Sequence, residues 1–216
     1  MTEPPILQVN YRQDAASLQV SPSPPRQTNQ RENWPQISLQ HHQQPALQTP
    51  EFQPVQHLLI VHLGHEVGVD RRLGGVRQRA EHHPGEVTVI PAQCNYQLTT
   101  QHPSEILLMA LEPHWVSQLI HELIDPDHIE ILPCFAQTDA LISGIGQTLN
   151  IELASYRPAD SLYIEALSNA LALHLLRQYG GRQQQSIRNY QDYPQLPGWI
   201  TRVQAQSSPR LYPQPS

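Results

Sequence analysis

The chain has 216 residues and a formal net charge of −6, and all 13 of its basic residues are arginine. So acidic and cation-poor a chain is not built to neutralise many phosphates, which argues against a self-sufficient nucleic-acid binder. No apolar run reaches the ~18 residues of a membrane span, and the start, Met1-Thr2-Glu3-Pro4-Pro5, lacks the basic and apolar regions of a secretory leader. Cys94 and Cys134 form neither a CxxC pair nor a disulfide framework, so a cytoplasmic setting is expected.

Residues 1–33 and 180–216 are poor in apolar residues, with 19 among 70, and hold 10 of the 21 prolines. Such composition buries too little apolar surface to offset the entropy of ordering, so both ends are expected to be disordered. Residues 34–179 are near the globular norm. Their first part, 34–111, reads as short strands. Residues 36–42 alternate, with Ile37 and Leu39 on one face. Residues 55–63 form a nearly continuous apolar run, as in a strand covered on both faces. Residues 66–73 alternate through Val67 and Val69 and stop at Gly74-Gly75. Residues 76–80 follow, then a turn at Pro84-Gly85. Residues 86–90, with Val87 and Val89 on one face, 94–99 and 105–111 complete the set. Close, regular spacing with Gly and Pro punctuation suggests a closed sheet or two-layer β roll.

From residue 112 the period changes. Glu112-Pro113 suits a helix start, and Trp115, Val116, Leu119, Ile120, Leu123 and Ile124 form one apolar stripe. Asp139 is positioned to cap a second helix carrying Ile142, Ile145, Leu149, Leu153 and Tyr156, which Arg157-Pro158 ends. Asp160 is positioned to cap a third, with Leu162, Ile164, Leu167, Leu171, Leu173, Leu175 and Leu176 before Gly180-Gly181. Apolar positions on more than one face call for more than one neighbour. The predicted fold class is therefore α+β: an antiparallel β barrel over 34–111, then a helical layer over 112–179.

The sequence holds 12 histidines but no His-x-His, the strand spacing that points two ligands the same way. His41 and His42 are adjacent and face opposite sides. His57 and His62, five apart, do likewise, and Gly64 separates His57 from His65. His121-Glu122 does not continue as an HExxH helix, and His174 reads as an interface or core histidine. No metal, cofactor or catalytic set is expected. Gly144-Ile145-Gly146 lacks the third glycine of a dinucleotide fingerprint, because Leu149 stands there inside a helical stripe; small residues that let helices approach are the better reading. Asp125 and Asp127 flank Pro126 in a solvated turn. Arg71-Arg72, with Arg77 and Arg79 across Gly74-Gly75, reads as a solvated hairpin, with an anion contact as the minority alternative.

Several segments together resemble AraC-type transcription regulators of the cyanobacterial kind. Trp34–His42 with Gln44-Pro45 resembles their opening strand, and His57–Leu63 the next core strand. Val69–Gly75 resembles the family's ERxxDG hairpin, and Gly85–Ala92 its GDxxxxPAG strand. Ile129–Phe135 with Asp139–Ile142 resembles the loop into the helices, and Glu152-Leu153, Asp160–Leu162 and Ala172–Tyr179 resemble the two long helices. The likeness spans about two thirds of the chain, and the order of the pieces is its most specific feature.

The resemblance implies a cupin-like, jelly-roll barrel that senses an unknown small-molecule effector and helices that dimerise. It also implies a DNA-binding domain of roughly 100 residues with two helix-turn-helix units. Only 37 residues, with four arginines, follow Tyr179. The DNA-binding half is therefore expected to be missing, direct nucleic-acid binding is not expected, and the chain would act as a homodimer or as a heterodimer with an intact paralogue. Leu167, Leu171 and Leu175 on the last helix are the expected dimer interface. Counted from Pro91, Gln93 stands at the family's glycine and Tyr96 at the histidine of metal-binding cupins, which favours a metal-free pocket. Inward residues of 55–63, 67–69 and 87–89 are expected to line it. A cupin-type metal-dependent enzyme is the alternative, resting on the barrel and the histidine count, and a poorly folding remnant a third.

Overall fold

The computed structural model describes residues 6–13, 16–32, 34–121, 129–155 and 161–182. The strands are β1 (Leu7–Val9), β2 (Gln27–Thr28), β3 (Ile37–Gln44), β4 (Leu47–Gln48), β5 (Phe52–Pro54), β6 (His57–His62), β7 (Val67–Leu73), β8 (Val76–His82), β9 (Glu86–Ile90), β10 (Tyr96–Thr100) and β11 (Ser104–Leu111). After α1 (Pro113–His121) come β12 (Ile129–Ile131), β13 (Cys134–Thr138), α2 (Ala140–Ala154), α3 (Ser161–Tyr179) and β14 (Gly180–Arg182).

The strands form two facing sheets, the predicted α+β architecture. One runs β1-β5-β10-β7-β8, with β4 also on β10, and the other β13-β9-β6-β11-β3-β2. Every pairing is antiparallel except β1 with β5, which is parallel. The β7–β8 hairpin turns in two residues, Gly74 and Gly75, at φ 54° and 86°. Both positions lie in the left-handed region that a twist-matched two-residue turn requires.

The two faces of the second sheet bury different material. Ile37, Leu39, Leu59, Val61, Val87, Val89, Leu107, Met109 and Leu111 face the helices and join Ile142, Ile145, Leu149, Ile164, Leu171 and Leu175 in one core. Leu58, Ile90, Leu108 and Ala110 face the other sheet, where they meet Phe52, Leu73 and Tyr96. The period of two along each strand divides the residues between these clusters. Trp115 and Leu119 of α1 pack against the first cluster and Val116 is buried in it; Leu123 and Ile124 lie outside the described residues.

Asp139 caps α2 as expected, accepting from the Leu141 and Ile142 amides. Its other oxygen accepts from Tyr179 Oη at 2.9 Å and pairs with His174 Nε2 at 2.8 Å, so one carboxylate ties the start of α2 to the end of α3. Gly146 lets a helix approach the sheet rather than another helix: a Cβ there would sit 2.9 Å from Met109 Cε, whereas Gly144 is open. The expected caps and breaks at Tyr156, Arg157-Pro158 and Asp160, and the turn at Asp125 and Asp127, lie outside the described residues.

The described part of residues 1–33 differs from the disordered segment expected there. Val9, Tyr11 and Val20 are buried in the barrel cluster, and β1 pairs with β5 while β2 pairs with β3. Low average apolarity concealed a few well-placed anchors. The boundary at 179 also shifts, because β14 pairs with β12; residues 183–216 lie outside the described residues. The segment read as a loop into the helices contains β12 and β13.

Leu171 and Leu175 are fully buried in the chain's own core, with Leu167 partly buried against it. This corrects the expectation that they present an interface to a second copy. They cover this chain's sheet and helices. On the outward faces of α2 and α3, Leu141, Ile151, Tyr163 and Leu173 are exposed instead.

Candidate ligand cavity

Between the two sheets lies a cavity of about 60 Å³. Strands β3, β6, β10 and β11 contribute His42, Gln44, Leu58, Ile60, Tyr96, Leu98, Ile106 and Leu108. Its remaining walls come from Leu47, Thr49 and Phe52, and from Tyr11, Ser17, Val20 and Ser21 of the N-terminal segment. That segment folds over the cavity through a 3-10 turn at Ala16–Gln19. The space exceeds what one water needs and suits a molecule of a few non-hydrogen atoms.

Sequence reasoning located this lining only in part. Leu58 and Ile60 come from the apolar run at 55–63, as expected. Val67, Val69, Val87 and Val89 do not line the cavity, and Val87 and Val89 face the helices. Parity alone could not say which face of a strand buried on both sides looks inward. Tyr96 does point in, edge-on to Phe52 with ring centroids 5.7 Å apart.

The inner face of β3 carries a polar row. His42 Nε2 lies 2.9 Å from Gln40 Oε1 and His42 Nδ1 lies 2.8 Å from Gln44 Nε2, a pairing that a neutral imidazole with its proton on Nε2 satisfies. Burial, with a smaller contribution from His41, pushes His42 down to about 4. Gln40 Nε2 and Gln44 Oε1, at the two ends of the row, are buried without a partner. Burial also raises the phenol of Tyr96 to about 12 and that of Tyr11 well above its ordinary range. Near neutral pH, no side chain lining the cavity carries a charge.

The histidines take the faces that strand parity predicts. His41 points away from His42 and pairs with Glu105 at 2.8 Å. His57 accepts from the Ala92 amide at 3.0 Å, and burial pushes it down to about 4. His62 donates to the His65 carbonyl and meets His82 edge-on at 6.1 Å between centroids. No group of three His, Cys, Asp or Glu suited to a metal ion occurs among the described residues.

Arg71 is a correction to the solvated hairpin. It is only 2% exposed. Its guanidinium gives two hydrogen bonds to Gln78 Oε1 and one to the Cys134 carbonyl, and it lies 4.0 Å above the Phe135 ring. It staples β7 and β8 to β13 across the seam between the sheets. Arg77, by contrast, is exposed and pairs with Asp70. Periodicity placed Val67, Val69 and Leu73 inward, so residue 71 shared their face; the charge alone suggested solvent.

Gln93 has φ 61°, in the left-handed region where glycine is at ease. This accounts physically for the glycine that the resembled pattern carries there. No family model matches the chain, and no curated protein does. Partial similarity is found to a cupin superfamily protein from Desulfitobacterium hafniense, 14% identical with a TM-score of 0.31, over 36% of this chain and 69% of that one. A cupin-family protein with a double-stranded β-helix fold from Methanocaldococcus jannaschii is 10% identical, TM-score 0.30, over 36% and 71%. Against a cupin 2 conserved barrel domain protein from Leptotrichia buccalis the values are 15% and 0.31, over 36% of each chain. Among the described residues no helix is long and apolar enough to cross a membrane.

Proposed function

We propose that this chain is an effector-sensing module of the AraC-type regulator kind, a binding protein rather than an enzyme. The observation that carries this reading is the partly open cavity between the sheets, lined mainly by aliphatic and aromatic side chains with no charged group among them. Such a lining can hold a small uncharged ligand. It offers no nucleophile paired with a base. Cys94, packed against the cavity-side cluster, and Cys134, packed against the helix-side cluster, are both held as thiols by burial, which pushes Cys134 up to about 11.

The ordered resemblance of the strands and helices supports a regulatory setting. In that setting the module pairs with a second copy or with an intact paralogue, through the outward faces of α2 and α3 where Leu141, Ile151, Tyr163 and Leu173 are exposed. A ligand that binds only the folded state raises its stability by RT ln(1 + [L]/Kd). Thermal melting against a library of small neutral compounds therefore tests the reading. A concentration-dependent rise in Tm for at least one class is expected, and no rise for any compound would overturn it. Elemental analysis of untagged protein tests the enzyme alternative, since stoichiometric iron, manganese or zinc would favour it.

A further inference from the structure

The polar residues around the cavity direct their hydrogen-bonding groups into the wall. Thr49 Oγ1 accepts from the Leu98 amide at 2.9 Å, and Ser21 Oγ donates to the Ser23 carbonyl at 3.1 Å. Both ring nitrogens of His42 lie within hydrogen-bond distance of glutamine side chains, Nδ1 at 2.8 Å from Gln44 and Nε2 at 2.9 Å from Gln40. Gln44 Nε2 also lies 3.4 Å from the Ser23 carbonyl, and Gln44 Oε1 is itself buried. What faces the cavity is almost entirely carbon, with Phe52, Leu58, Ile60, Leu98, Ile106 and Leu108 as its main apolar walls.

A site that reads the polar groups of a ligand aims a few of its own at it. This lining aims almost none. An anion or a polyol would give up its hydration on entering and find nothing to replace it. A water there would lack the polar partners that hold one in a buried site. An apolar molecule gives up no hydrogen bond on entering and gains contact with the lining. The space of about 60 Å³ limits such a molecule to a few non-hydrogen atoms.

We propose that the cavity takes a small hydrocarbon or halocarbon, and discriminates against the same chain carrying a hydroxyl or a charge. This rests on the reading of the barrel as a ligand-sensing module and adds the class of ligand. Recognition is by shape and contact between apolar surfaces, without a hydrogen bond to the ligand.

The test follows side-chain methyl groups by NMR in the full chain while 1-chlorobutane, 1-butanol or butyrate is added. With 1-chlorobutane, saturable shifts are expected at Leu58, Ile60 and Leu108, and not at Leu59 and Val61, which lie on the helix side of the same sheet. 1-Butanol should produce the same shifts with a Kd at least about tenfold higher, because its hydroxyl loses water without gaining a partner, and butyrate should produce none. The Leu108→Phe variant should lose the shift at Ile60. A smaller advantage of the chloride over the alcohol in the wild-type chain, or saturable binding of butyrate, would overturn the class while leaving the cavity a ligand site. Shifts of equal size at Leu59 and Val61, or no saturable shift with any of the three, would overturn the class and count against the sensing reading too. The wild-type ranking decides the class even if the variant fails to fold.

Discussion

Strand β3 shows two chemistries on its two sides. Toward the helices it presents Ile37 and Leu39, which lock into a continuous apolar core. Toward the barrel interior it presents Ser38, Gln40, His42 and Gln44, all buried. Neighbouring strands repeat the helix-side pattern with Leu59, Val61, Val87, Val89, Leu107 and Met109, whereas on the barrel side His62 and Thr88 interrupt the apolar residues. Buried polar residues need partners to be tolerable. On the inner face of this sheet some atoms have none: Gln40 Nε2, Gln44 Oε1 and Thr88 Oγ1. One face of the sheet is a continuous apolar core, and the other mixes buried polar residues with the apolar lining of a cavity.

The largest expected effect separates the helix core from the helix surface. Leu171→Asp puts a carboxylate into the core and should cost more than about 4 kcal/mol, so the protein fails to fold rather than becoming a folded monomer. Leu173→Asp, on the outward face, should leave the melting temperature within a few degrees and lower the mass in light scattering if that face pairs. A folded monomeric Leu171→Asp protein would break the division.

Truncation sharpens it further. Leu59→Ala on the helix side should destabilise by about 3 kcal/mol through lost burial and the cavity left behind, measured by urea unfolding. On the barrel side, His42→Leu should cost only about 1–2 kcal/mol at pH 7, because two glutamine amides lose a partner while the apolar volume is kept.

The same histidine gives the interior its pH dependence. His42, His57 and His82 are all pushed down to about 4 from an ordinary value of 6.5, burial being the main cause in each. The unfolded chain binds these protons first as pH falls, so stability drops from about pH 6.5 down to about pH 4. His42→Leu should shrink that loss by on the order of 3 kcal/mol between pH 7 and pH 4. An unchanged acid profile in the variant would show that His42 is not held neutral in the fold.

The smallest expected effect is at Gln93. Gln93→Gly relieves a left-handed backbone and should raise stability by about 0.5 kcal/mol, the strain relieved being partly offset by glycine's entropy in the unfolded chain. No gain, or a loss, would show that Gln93 contributes through its side chain.

Most of the barrel was legible because alternation and turns are local. Val87 and Val89, the Gly74-Gly75 turn and the opposed faces of His41 and His42 all follow from a period of two and the demands of positive φ. The Asp139 cap was legible for the same reason, although its bonds to His174 and Tyr179 join positions far apart in sequence. What could not be read was non-local. Val9, Tyr11 and Val20 sit in a stretch whose average composition is polar, and only the folded barrel shows what they cover. Leu171 and Leu175 looked like an interface because a helix apolar on several faces does not reveal which neighbour is its own sheet. Arg71 was hidden by its charge, which burial tolerates only because Gln78, the Cys134 carbonyl and the Phe135 ring converge on it. Gln44 belongs to the opening strand motif in the sequence, but its unpartnered oxygen is visible only in three dimensions.

Filling the barrel cavity tests most directly whether it takes a small ligand. Leu108→Phe adds bulk on the lining of β11, and the melting temperature of wild type and variant is compared across a rising concentration of 1-butanol. A concentration-dependent rise in Tm is expected for the wild-type chain, superimposed on the solvent effect common to both, and no such additional rise for the variant. Identical concentration dependence in the two proteins would contradict it.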